Sequence, residues 1–124
     1  MQDRPDPIDL VRTVAATLRD KLLPRLSGSA AFEARVSVNA LELVARQLEH
    51  QAKSNAAELK RLEALLGESG PLGALNARLC ARIADGSFAV DDPELTAHLW
   101  ATTLEKLAVD QPGYGAYLDE VDRA

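Results

Sequence analysis

Two guanidinium groups and an amide on one strip of a helix can hold an anion or an acidic partner, and residues 30–51 carry such a strip. Arg35, Asn39, Glu42 and Arg46 fall along one line at helical spacing, with Glu49 at its margin and apolar side chains on either side. Arginine suits this chemistry because its planar fork meets a carboxylate or phosphate bidentately. The plainer reading is a solvated groove in which Glu42 and Arg46 form an ordinary pair of about a few tenths of a kcal/mol.

Two further features invite the same question. Asn76 lies in the middle of an arc formed by Leu72, Leu75, Leu79 and Ile83. A buried amide there must find hydrogen-bond partners or cost about 1–3 kcal/mol, so a bridge to a backbone carbonyl or to the polar strip is expected. Lys106 and Asp110 stand one turn apart among Leu95, Leu99 and Thr103. A lysine so placed either snorkels outward or pairs with an acid such as Asp110 or Glu42. If these groups met they would form one polar pocket; a structural ion-pair network is the plainer alternative.

Other chemistry finds little support. Gly67, Gly70 and Gly73 precede a helix, but no strand leads into them and no phosphate-binding lysine follows, so they read as a capped turn. Glu94 and His98 are one helical turn apart, but a zinc site needs three or four protein ligands, so both His50 and His98 read as surface residues and no metal is expected. Cys80, beside Leu79 and Ile83, reads as a packed thiol rather than a nucleophile. No catalytic residue and no cofactor is assigned.

These residues must be positioned by helices. Ala and Leu supply 41 of the 124 residues, and Val, Ile and Thr only 15, a balance that favours helix over sheet. One domain spanning 1–124 is expected, with residues 1–6 as an arm and 111–124 as a tail. Asp6 and Pro7 open a first helix that presents Ile8, Leu10, Val11, Val14, Leu18 and Leu22 on one face, with Arg12, Arg19 and Asp20 opposite, and ends at Pro24. The second helix carries apolar residues over about two-thirds of its circumference, so it is expected to be buried at the centre of the fold. A break near Lys53-Ser54-Asn55 separates it from a third, 56–66, with Asn55 and Glu58 as a capping box. Pro71 leads into a fourth helix that stops at Asp85-Gly86, and Asp92-Pro93 opens a fifth running to about Asp110. The expected fold is an all-α, single-domain bundle of about five mostly antiparallel helices.

The formal net charge of −5, from 14 Lys plus Arg against 19 Asp plus Glu, and the lack of a basic block argue against nucleic-acid binding. A single Cys, a charged and proline-broken start and no apolar run of membrane-spanning length lead to the expectation of a soluble, cytoplasmic protein.

Several short runs also carry a likeness. Phe32-x-x-Arg35-Val36-x-x-Asn39-Ala40-Leu41, Leu65-Leu66-Gly67, Leu75-Asn76 and the stretch from Lys106 to Tyr114 resemble a family of small, uncharacterised helical proteins from bacteria. The likeness covers about residues 4–114, with Asp110-Gln111-Pro112 where Asp-Asn-Pro is usual and Arg46-Gln47-Leu48 where Arg-Glu-Leu is. It implies genes found beside aminoglycoside-phosphotransferase-like kinases and acyl-CoA dehydrogenases, and it brings no catalytic residues.

The expectation is therefore a non-catalytic accessory or interaction module for a metabolic enzyme, such as a phosphotransferase-like kinase or an acyl-CoA dehydrogenase. Its contact surface would be Arg35, Asn39 and Arg46 together with the tail, where Tyr114 and Tyr117 can anchor an interface. A homodimer through exposed apolar surface of the second helix is an equal expectation. The rival is a small anionic-ligand-binding protein or enzyme, its pocket drawn from Arg35, Asn39, Glu42, Arg46, Asn76, Lys106 and Asp110.

Overall fold

A computed structural model describes residues 4–124, and every regular element among them is helical. The α-helices are α1 (Pro7–Thr17), α2 (Gly28–Leu66), α3 (Leu72–Ala84), α4 (Pro93–Asp110) and α5 (Gly115–Arg123). Leu18–Leu22 forms a π turn and Leu23–Arg25 a 3-10 turn between α1 and α2. Among the described residues no helix is long and apolar enough to cross a membrane.

The helix starts and stops follow local chemistry. The Asp6 carboxylate accepts from the Asp9 amide at 2.9 Å ahead of Pro7, and the Asp92 carboxylate accepts from the Leu95 amide at 2.8 Å ahead of Pro93. Each satisfies an amide that has no partner within its helix. Pro24 has no N–H for the Asp20 carbonyl and its ring crowds that oxygen; the chain meets it by passing into π and then 3-10 geometry. Gly86 takes φ +78°, which lets its own amide reach the Ile83 carbonyl and the Ser87 amide reach that of Arg82, a Schellman closure of α3. Ser87 also donates to the Asp85 carboxylate through both its amide and its hydroxyl, and these bonds hold the Asp85 carboxyl below its usual range.

The expected break at Lys53-Ser54-Asn55 does not occur: α2 runs unbroken for 39 residues. No Gly or Pro stands between Ser29 and Leu66, and Ser and Asn inside a helix each cost only about 0.5 kcal/mol, less than the penalty of nucleating a new helix. The helix closes only at Gly67, with φ +68°. Five helices are nonetheless present, because the expected tail itself forms α5.

The chain divides into two compact units, the first ending at His50 and the second covering Gln51–Ala124; α2 contributes to both. In the first, α1 and α2 are antiparallel, as shown by Arg12 pairing with Glu49 and Arg19 with Glu42. Its buried residues are Ala15 on α1 and Ala31, Val38 and Ala45 on α2. The expectation of a second helix buried on several sides is thus corrected here: its apolar arc is covered along one line, while Phe32, Val36, Leu43, Val44 and Leu48 are exposed. Helix α1 differs likewise. Arg12 and Arg19 flank its contact with α2, and Leu10 and Val14 lie exposed.

The second unit has an ordinary leucine core. Leu62 is fully buried, with Leu66, Leu75, Leu79 and Leu95 around it and Leu59, Leu65, Leu72 and Phe88 packed outside. Ile83 and Leu99, both expected inside, are exposed, as is Trp100. The inner face of α4 is instead Leu95, His98, Thr102, Glu105 and Val109, which are buried or half-buried, a 3-4-3-4 spacing that keeps one side of a helix turned to its neighbours.

Continuity of α2 is testable with Ala56→Pro. Were the chain broken with Asn55 as a cap, proline at the first helical position would be tolerated. Within an uninterrupted helix it costs about 3 kcal/mol, and denaturant unfolding of the variant is expected to show that loss.

Candidate functional site

The first unit contains a charged cleft of about 410 Å³ between α1 and α2, floored by Ala15, Ala16 and Ala45 and walled by Arg12, Arg19, Glu42 and Arg46. Small side chains on both helices make the hollow, and long charged ones rim it. Arg12 Nη2 donates to Glu49 Oε2 at 2.6 Å, Arg19 Nη1 to Glu42 Oε1 at 2.6 Å, and Arg19 Nε to Asp20 Oδ1 at 3.0 Å. These pairs are about half exposed, so each contributes about 0–1 kcal/mol and chiefly sets the register of the two helices.

Of the expected strip, Glu42 and Arg46 line this cleft, whereas Arg35 and Asn39 are exposed outside it. The helix pairing explains the split. The register that pairs 12 with 49 and 19 with 42 carries the cleft no further than Arg19 and sets Asn39 and Arg35 beyond it, opposite Leu22 and Leu26. The arginines that α1 adds, Arg12 and Arg19, lay on the side of that helix expected to face away.

In the second unit, Asn76 is half-buried, and its Nδ2 donates to Glu58 Oε1 at 2.8 Å and to the Leu72 carbonyl at 3.3 Å. The backbone bridge is present, and the side-chain partner comes from α2, one full stretch beyond the expected strip. Lys106, Asp110 and Tyr114 are exposed, so Lys106 is not an inward-facing cation.

The polar centre of this unit is Arg61, whose Nη1 and Nη2 donate to the two Glu105 oxygens at 2.9 and 2.7 Å, with Thr102 Oγ1 at 3.5 Å. Arg61 did not stand out in the sequence. The available signal was the run of His98, Thr102 and Glu105 within an otherwise apolar face of α4. Next to this fork is a cleft of about 330 Å³ lined by Arg61, Ala64, Leu65, Glu94, Ala97 and His98. His98 was expected at the surface but is only 4% exposed, and its Nδ1 is sealed from solvent with no hydrogen-bond partner. Burial depresses the imidazole pKa below its ordinary value, and the Arg61 guanidinium lowers it further, against smaller opposite contributions from Glu58 and Glu105. The ring is therefore neutral at pH 7.

A second arginine fork closes the end of α2. Arg82 donates to the Leu66 carbonyl at 3.3 Å and to Glu68 at 2.7 Å, and Arg78 holds the other Glu68 oxygen at 2.8 Å. This clamp satisfies a helix-end carbonyl and fixes the turn into α3. Among the described residues, no group of three or more His, Cys, Asp or Glu is arranged to hold a metal ion. Cys80 is exposed, not packed.

The neutral state of His98 has a signed consequence. Its folded pKa lies below the unfolded value of about 6.5, so its contribution to stability is complete above that pH and is lost as pH falls below it. Unfolding free energy measured from pH 7.5 to 5 is expected to fall by at most about 1.4 kcal/mol per pH unit from this group, and His98→Asn is expected to flatten that slope.

No curated protein and no solved structure matches the chain. Residues 24–114 match a family described as Domain of unknown function (DUF6285). That span takes in α2, α3 and α4 whole, and on it the chain belongs to this uncharacterised family.

Proposed function

We propose that this chain is a non-catalytic interaction module that works by docking on a protein partner through the α4–α5 end of its second unit. The observation that carries this reading is a set of large aromatic and aliphatic side chains left open at this end. Trp100 and Tyr114 are 53% and 51% exposed, and Leu118 and Val121 on α5 are nearly as open. Tyr114, Leu118 and Val121 follow one another at spacings of four and three, which puts them on one side of the helical turn. Trp100 Nε1 donates to Glu120 Oε1 at 3.3 Å, which ties the indole to α5. Exposed Trp and Tyr are the residues most often found to dominate binding energy, and a folded helix presents them without the ordering cost of a loose tail.

The partner this reading favours is a metabolic enzyme. The family resemblance points to a phosphotransferase-like kinase or an acyl-CoA dehydrogenase, in a bacterial cytoplasm. The rival reading, a small anion held by arginines, would use the cleft lined by Arg12, Arg19 and Arg46. It is the weaker of the two, because Glu42, Glu49 and Asp20 already occupy Arg12 and Arg19 and an anion would have to displace carboxylates.

The tagged full-length chain, purified from its native host with quantitative mass spectrometry, tests the reading. A metabolic enzyme is expected at stoichiometric level with the natural chain. Trp100→Ala combined with Leu118→Glu is expected to weaken that complex about 30-fold or more, the loss of one hot spot of about 2 kcal/mol. Recovery of the chain alone would contradict it, as would a complex indifferent to the double variant.

A further inference from the structure

We infer that the first unit forms a two-fold interface with a second copy of this chain, α1 and α2 of each copy packing into a four-helix bundle. This goes beyond the enzyme-docking reading and involves a different surface. The argument begins with what the unit lacks. Its buried residues are three alanines and one valine, and alanine buries too little surface to hold two helices together against the entropy of ordering them. What it has in excess is exposed apolar surface. Nine large apolar side chains of the described residues before His50 are exposed, from Leu10 to Leu48, with Phe32 the most open at 63%.

The two flanks of the α1–α2 pair differ in character. One flank carries the Arg12–Glu49 and Arg19–Glu42 pairs. At about 100° per residue, the other flank carries Leu10 and Val14 of α1 beside Val44 and Leu48 of α2, and the surface continues round α2 to Val36 and Leu43. Within residues 30–50, Glu33 is the one charged side chain in the arc from Val36 to Leu48. A face with so little charge meets its own copy with little like-charge repulsion.

Size and availability select the occupant. The six side chains on this surface, about half exposed, offer on the order of 500 Å² before the small residues between them are added, which approaches the area of about 800 Å² that one partner gives to a stable protein interface. A surface that completes a core needs a partner present in equal amount whenever the chain is made, and a second copy meets that condition by itself. An antiparallel helix pair is also half of a four-helix bundle, and the two-fold dimer is the commonest closed assembly.

Light scattering and sedimentation of the full-length chain test this. The natural protein is expected to show twice its 13.4 kDa chain mass, and Val44→Glu with Leu48→Glu, on the flank shared with Leu10 and Val14, is expected to halve it, whereas Trp100→Ala with Leu118→Glu leaves it doubled. A natural chain that stays at single mass up to about 100 μM, beyond the micromolar end of affinities for interfaces of this size, would overturn the inference. A dimer unmoved by Val44→Glu with Leu48→Glu but split by Trp100→Ala with Leu118→Glu would also overturn it, by placing self-association at α4 and α5. Because the natural chain is measured directly, loss of folding in a variant does not blunt the test. Enzyme capture fails or succeeds independently, through Trp100 and Leu118.

Discussion

One unbroken backbone, α2 from Gly28 to Leu66, is the constraint on which both units depend. Each unit packs its own helices against its own part of α2, and the two parts differ in what they offer. Toward its start α2 presents Ala31, Val38 and Ala45 to α1; toward its end it presents Leu62 and Leu66 to a leucine core. A buried leucine is worth about 1.5–3 kcal/mol relative to exposure, and an alanine far less. The second unit therefore has the means to hold itself together, while the first has register without much adhesion. Its half-exposed ion pairs tell the helices how to align; they do not supply the missing burial.

The second unit depends equally on how it treats polar groups. Arg61 enters the packed region between α2 and α4 and is met by both oxygens of Glu105. A bidentate pair of this kind engages both terminal nitrogens of the guanidinium, while its Nε stays buried without a partner. Asn76 is handled in the same way, with one bond to Glu58 and one to its own helix. His98 goes further: it is buried and neutral, and its Nδ1, like Arg61 Nε, has no partner. Its neutrality lets it sit beside Arg61 without adding a second buried cation.

Much of the local structure was legible because it rests on short-range chemistry. Asp6-Pro7 and Asp92-Pro93 mark helix starts, and Gly67 and Gly86 mark ends, through rules that involve only a few neighbouring residues. What was misread depends on contacts between distant residues. Lys53-Ser54-Asn55 resembles a boundary, yet nothing there is costly enough to end a helix. The inner face of α4 was misplaced because periodicity counts apolar residues, and this face includes His98, Thr102 and Glu105, matched by Arg61 some 40 positions earlier. The strip from Arg35 to Arg46 was divided because α1, whose register no sequence pattern revealed, covers only part of α2. The terminal stretch was taken for a tail, although Tyr114, Leu118 and Val121 are spaced for a helical face.

The surfaces left open by this packing are where the function is placed. The exposed aromatic and aliphatic side chains of α4 and α5 and the apolar flank of α1 and α2 are the surfaces we propose for polypeptide contact; the two clefts are small, open and rimmed by charges already paired in large part. The central claim is that the first unit relies on another polypeptide for its stability and the second does not. Site-resolved hydrogen exchange of the full-length chain, measured across a dilution series, tests that claim most directly. The account predicts that amides of α1 and of α2 up to His50 lose protection as the chain is diluted, while those around Leu62, Leu75, Leu79 and Leu95 keep theirs. Equal and concentration-independent protection in both units would contradict it.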